Sequence, residues 1–210
     1  MSSDDLHIVD TVVLLYFLLV ERFDLLVELI GDPIQVPFSV YDPEEPRDGN
    51  AVASARSDLL SELRQAIRHY EASARSTGDH ISLERVARVE ALCDAGRIRS
   101  VSMTEDERNL AASLQSRENL KQHGIRYPLG PGEAACVAIA HTRRWTIATD
   151  DTDALTVMKN LNKTGAFRYE RIRKLLTRAA NERGVSTAEA NSIHAEMRIH
   201  GFWDAGAPFP

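Results

Sequence analysis

The chain is poor in cysteine: Cys93 and Cys136 are the only two in 210 residues, too few for a disulfide framework. Neither lies in a C-x-x-C pair or in a Cys/His cluster with zinc-ligand spacing, which excludes a zinc-finger design and fits a reduced, cytoplasmic setting. Long apolar runs are also missing. The longest, Val12 to Val20, spans nine residues, against the roughly 20 that cross a bilayer. Asp10 and Glu21 bracket it, so it reads as a buried helix and no membrane partner is expected. The first residues, Met-Ser-Ser-Asp-Asp, carry acids where a secretory signal carries positive charge. Basic residues are not in excess either: the net charge of −6 excludes whole-surface attraction to nucleic acid or to an acidic membrane. Contact with nucleic acid would need a local basic patch or a metal ion. No G-x-G-x-x-G follows a strand and no Gly-Lys-Ser/Thr occurs, so Gly130-Pro131-Gly132 is not a phosphate loop and a nucleotide cofactor has no support. Aromatics make up only 6%, which leaves aliphatic side chains to build most of the interior.

What is present is an ordinary globular balance, 43% apolar and 27% charged in 23.4 kDa, enough for one large domain or a domain with an extension. Short β-like runs alternate with helical patterns. Leu6 to Val9 reads as a strand and Val12 to Ile30 as one helix closed by Gly31-Asp32-Pro33. Ile34 to Val40 reads as an edge or irregular strand because of Pro37. After the turn-rich loop Glu44 to Asn50, helical patterns cover about residues 51–75 and 82–95, an elaborated hairpin with its turn at Thr77-Gly78-Asp79. Arg97 to Met103 alternates like a half-exposed strand, and Thr104 with Glu107 predicts a capping box for a helix reaching about Gln122. Glu133 to His141 is small and apolar, as in a helix buried on most sides, and Trp145 to Thr149 is a further strand. From Ala154 on, only helical patterns appear, at about 153–162, 167–183 and 187–199, before the tail Gly201 to Pro210. Phe202-Trp203 is expected to dock that tail. The alternation predicts an α/β fold with a mostly parallel sheet.

In such sheets ligands collect beyond the carboxyl ends of the strands. Asp10, Asp42 and Asp150-Asp151 each follow a predicted strand, and Glu133 stands in the first turn of a helix. Each acid alone is explained as a helix cap, a turn residue or a complement to a helix dipole. Together they would repel and raise one another's pKa unless a cation neutralised them, which suggests a hard divalent ion, magnesium or manganese, held by oxygen ligands.

Ile8-Val9-Asp10-Thr11-Val12 resembles the opening strand-Asp-Thr-helix of the PIN-domain family, and Val36 to Tyr41 resembles its second strand. Leu129-Gly130-Pro131-Gly132-Glu133-Ala134 resembles the Gly-Glu-Ala helix of one PIN branch, and Thr146 to Asp151 the strand that carries the last acids. The resemblance covers about residues 6–162. It implies a three-layer α/β/α PIN-like domain over 1–164, with 51–95 as a helical elaboration and 165–210 as a C-terminal helical appendage. It also implies a metal-dependent ribonuclease of the kind found in VapC-like toxins paired with an antitoxin. Residue by residue it makes Asp10, Glu133 and Asp151 ligands of Mg²⁺ or Mn²⁺, with Asp150 and Asp153 as neighbours that substitute or assist. At the second acidic position the sequence departs from the family: Pro43 stands there, with Asp42 one residue before and Glu44 one residue after.

The densest basic run, Arg168 to Arg178, offers Arg171, Arg173 and Lys174 as phosphate contacts; the plainer reading is a solvated face opposite Ile172, Leu175, Leu176 and Ala179. The surplus apolar residues of the 12–30 helix read first as core and second as a homodimer face. Two rival functions remain beside the ribonuclease. One is a non-catalytic PIN-like module binding RNA or protein, which Pro43 favours. The other, a phosphoryl-transfer enzyme of the haloacid-dehalogenase or receiver type, expects Asp-x-Asp after the first strand and a later lysine, where this chain has Asp10-Thr11-Val12.

Overall fold

The computed structural model describes residues 6–42, 61–77, 80–163, 165, 167–204, 206 and 209. The expected features at Pro43, Glu44 to Asn50, residues 51–60 and Gly78-Asp79 lie outside them. In chain order the described elements are β1 (His7–Val9), α1 (Thr11–Leu19), α2 (Phe23–Ile30), β2 (Ile34–Pro37), α3 (Glu62–Thr77), α4 (His80–Asp94), β3 (Ile98–Val101) and α5 (Glu105–Leu114). There follow α6 (Leu120–His123), α7 (Pro131–Arg143), β4 (Thr146–Ala148), α8 (Thr152–Leu161), β5 (Tyr169–Glu170), α9 (Ile172–Glu182) and α10 (Thr187–Ile199).

Strand β1 pairs in parallel with β4, and β4 with β5; a second parallel ladder joins β2 to β3, and β1 lies against β2. Parallel neighbours require long crossovers, and the helices supply them, giving a mixed α/β protein with a small parallel sheet. Successive strand residues face opposite sides. Ile8 and Ile147, paired in register, point into a core shared with Leu114, Val137, Ile139 and Met158. Val9 and Ala148, the next pair, point into a core shared with Val13, Phe17, Leu26, Leu175 and Met197. Both faces of the sheet are therefore covered by helices, which is why its strands read as continuous apolar runs. Residues after 165 add β5, α9 and α10 to this body, and Phe202 is buried beside Tyr16 while Trp203 stays exposed. Among the described residues no helix is long and apolar enough to cross a membrane.

Four local expectations change. The 12–30 helix is two helices, broken at the one adjacent pair of charged residues in the run, Glu21-Arg22, where Glu21 takes a left-handed φ of 55°. Its carboxylate meets Arg88 Nη1 at 3.0 Å, a partner from α4 that no local pattern announces. The apolar surplus of this segment is covered within the chain, since Leu14, Phe17, Leu18 and Leu19 are all buried. Strand β2 stops at Pro37 because the N–H groups of Val40 and Tyr41 both turn back to its carbonyl. The capping box of Thr104 and Glu107 forms as expected, but α5 ends at Leu114. There Ser116 caps a separate 3-10 turn through the Glu118 N–H, a local bond that competes with helix continuation. Finally, Tyr169-Glu170 is a strand, not helix, because the Arg168 and Glu170 carbonyls accept from the N–H groups of Ile147 on β4 and of Thr149 just beyond it.

Candidate active site

Asp10 follows β1 and caps α1: its Oδ1 accepts from Thr11 N–H at 2.8 Å and its Oδ2 from Thr149 Oγ1 at 2.9 Å. It is 1% exposed. Thr149 follows β4 and its hydroxyl also accepts from the Asp151 N–H at 3.1 Å, while Asp151 caps α8 through the Ala154 N–H at 2.5 Å. Thr11 Oγ1 donates to Glu62 Oε2 at 2.9 Å, and the Gly132 N–H donates to Glu62 Oε1 at 2.7 Å. Glu133, on the next residue of α7, accepts from the Gly130 N–H at 2.8 Å. The amino ends of α1, α3, α7 and α8 thus bring Asp10, Glu62, Glu133 and Asp151 together, with Asp153 in the first turn of α8. Helix amino ends carry partial positive charge and unpaired N–H groups, which is how a buried sheet edge tolerates so many carboxylates.

The electrostatics follow from burial and crowding. Desolvation, then the charge of Glu133 and to a smaller degree that of Glu62, push the Asp10 carboxyl up to about 8 against the hydrogen bonds from Thr149 and Thr11. Glu133 is also raised, first by burial and then by Asp151, with smaller shares from Glu62 and Asp153, and Gly130 opposes the shift. Beneath them the fully buried thiol of Cys136 is raised well above its ordinary range by burial, then by Asp10, Glu62 and Glu133. Both causes favour the neutral thiol over the thiolate.

Glu62 is the residue that sequence reasoning missed. It stands between Thr11 and Gly132, whereas Asp42 is half-buried beyond the turn that ends β2. The available signal was an acid in a helical first turn, Ser61-Glu62-Leu63, hidden inside a helical pattern read as starting at 51. Gly132 shapes the same place. A Cβ there would overlap the Glu62 carboxylate, so only glycine lets α7 approach it this closely.

Asp150 is turned elsewhere. Its Oδ2 accepts from the Ile172 N–H at 2.9 Å, capping α9. Burial pushes its carboxyl up to about 6, against the Ile172 bond and the charge of Arg171, with Asp204 adding to the rise. Arg171 is therefore at the Asp150 edge. Arg173 lies over the Phe209 ring at 4.7 Å with Nη1 3.9 Å from Asp204. Lys174 donates to the Tyr169 carbonyl at 2.7 Å and sits 3.5 Å from Glu170.

Among the described residues no group of three or more His, Cys, Asp or Glu side chains is arranged to hold a metal ion. The donor chemistry of the acidic group nevertheless fits a hard divalent cation: its donors are all carboxylate oxygens, and a cation would relieve the burial and repulsion that raise Asp10 and Glu133. Comparison with family models, with curated proteins and with solved structures returns no match for this chain.

Proposed function

We propose that the chain is a metal-dependent ribonuclease of PIN type, with that family's three-layer α/β/α arrangement, acting as the toxin of a toxin–antitoxin pair. The observation that carries this reading is the meeting of Asp10, Glu62, Glu133 and Asp151 at four helix amino ends beyond β1 and β4. Asp10, Glu62, Glu133 and Asp151 would hold Mg²⁺ or Mn²⁺, with Asp153 assisting. A cation held by these carboxylates would supply a lowered pKa for an attacking water and offset charge on the phosphate. Thr11 and Thr149 fix the carboxylates, and the helix amino ends temper their repulsion. No side-chain nucleophile is needed, and Asp150 acts through α9, keeping Arg171 beside the edge. The partners implied are RNA, a protein antitoxin and a second copy of the chain, in the cytoplasm.

A second reading, a PIN-like module that binds RNA or protein without cleaving it, is favoured by the hydrogen bonds that Asp10, Glu62, Glu133 and Asp151 already accept from the protein. Incubating the purified protein with structured and unstructured RNA, with and without Mg²⁺ or Mn²⁺, separates the two. Cleavage is expected only with metal and is expected to disappear in Asp10→Ala. Intact RNA under every condition would leave the binding module.

Arg171, with Arg173 and Lys174 on the following turn, is proposed to meet substrate phosphates; Arg173, already held by Asp204 and Phe209, contributes least. Replacing all three with alanine is expected to weaken RNA binding and to flatten its salt dependence by about 0.7 logarithmic units per lost contact. Metal affinity should be unaffected. Unchanged affinity and salt slope would make the run a solvated face.

A further inference from the structure

The amino ends of β4 and β5, the end of the sheet away from Asp10, gather two arginines, Arg144 and Arg168, and rings that the acidic site does not use. Arg144 closes α7 with a left-handed φ of 62°, Trp145 leads into β4, and Phe167 and Arg168 lead into β5. These four and Asn162 line a cleft of about 110 Å³. Arg144 Nη1 donates to Asn162 Oδ1 at 3.2 Å, and Arg168 Nη2 donates to the Arg144 carbonyl at 3.0 Å. Both guanidiniums are exposed, and among the described residues both meet neutral oxygens, not carboxylates. Beside the cleft Arg143, held by Glu107 at 2.7 Å, lies over Trp145 at 5.1 Å, and Phe167 is 5.5 Å from Tyr169. Tyr169 is 40% exposed.

The carboxyl ends of α7 and α8 converge here, and their partial negative charge accounts for cations. It does not account for the rings, in a chain with an aromatic share of 6%. We propose that this cleft is a docking surface for single-stranded RNA, separate from the acidic site. Exposed guanidiniums flanked by aromatic faces are the chemistry that tracks phosphates and stacks bases. The volume decides against a free small molecule, whose pockets run to about 300–1,000 Å³; the cleft holds one group of a polymer passing over it. Helix α7 separates the two sites, with Glu133 in its first turn and Arg144 at its end, a rise of about 16 Å at 1.5 Å per residue. The RNA docked here is therefore a flank of the strand presented to the acids. The choice of RNA over other polyanions rests on the functional reading above.

The test is fluorescence anisotropy on the full chain in EDTA, with a short unstructured labelled RNA over a range of KCl concentrations. The Arg144→Ala/Arg168→Ala variant is expected to bind about tenfold more weakly, with a salt slope lower by about 1.4 for two lost phosphate contacts. Tyr169→Ala is expected to cost about fivefold or more. With metal added, the double variant should cleave a minimal RNA at the wild-type rate and a longer RNA with a raised KM. Wild-type affinity and slope in both variants, or no RNA binding by the wild type, would overturn the proposal. So would polyglutamate binding as tightly as RNA and responding to the arginines but not to Tyr169, which would mark an acidic-protein surface. If no RNA is ever cleaved and the variants still lose RNA binding, the nuclease reading fails and the docking surface stands; cleavage with unaffected binding gives the reverse.

Discussion

Gly132→Ala is expected to lower RNA cleavage by about 10- to 100-fold, the usual effect of disturbing the support of a metal-site ligand, while the fold is kept. The added Cβ would land on the Glu62 carboxylate, which is the far end of a flexible side chain, so Glu62 yields and the backbone of α7 does not. Moving it away breaks its bonds with Thr11 Oγ1 and the Gly132 N–H. Gly132 is the second residue of α7, where alanine's advantage is below the about 1 kcal/mol of a helix interior and offsets part of the lost bonds. Activity is therefore expected to fall far more than stability, which separates a positioning defect from misfolding. Glu62→Gln, which keeps the shape and removes the charge, should lose at least as much activity. Full cleavage by both variants would remove Glu62 from the site.

The Asp10 carboxyl is expected to cost the metal-free protein stability as pH rises from about 4 to about 8. Unfolded, the Asp10 carboxyl titrates near 3.9; folded, burial and the charges of Glu133 and Glu62 carry it to about 8. Between these values the native state holds a proton that the unfolded chain has released. The stability linked to that proton is thus complete below about 4 and is lost as pH climbs through the folded value. Glu133 and Asp150, both raised, act with the same sign, while Glu107, His123 and His194, all lowered, act against it, so the Asp10 share is read as the difference between wild type and Asp10→Asn. In a chain of this size about 1 kcal/mol shifts the melting temperature by about 2–4 °C, so even a modest part of the effect is measurable by thermal denaturation. At pH 8, Mg²⁺ or Mn²⁺ should recover the loss by binding the native state. Asp10→Asn should flatten both the pH slope and the metal response. An undiminished metal response in that variant would place the cation elsewhere.

Reading the chain locally reached most of the site because most of its acids advertise themselves. Asp10-Thr11 after an apolar run, Gly-Glu-Ala opening a small apolar helix, and Asp150-Asp151 after Thr146 to Thr149 are all contiguous signals, and three of these acids lie at the group. Glu62 has no such neighbourhood. Its role comes from a helix amino end brought to Thr11 and Gly132 across separations of 51 and 70 residues. Asp150 shows the converse. Adjacent to Asp151 and equivalent to it in sequence, it points toward α9, because successive residues leaving a strand face opposite sides.

The sequence by itself determined the α/β class, the parallel pairing and the edge at which acids collect, since alternation of period, strand apolarity and helix caps are local physics repeated along the chain. It also determined the Thr104–Glu107 cap, whose two partners are three residues apart. Only the tertiary structure decided that Glu62 completes the acidic group, that the 12–30 run breaks at Glu21, and that Tyr169-Glu170 leaves a helical pattern to extend the sheet. For Glu62 and for the Glu170 carbonyl the deciding partner is remote, Gly132 and the Thr149 N–H; at Glu21 the remote contact is an exposed ion pair with Arg88. Local propensity differs between such alternatives by tenths of a kcal/mol per residue, and a single buried hydrogen bond or ion pair supplied from elsewhere in the fold outweighs it.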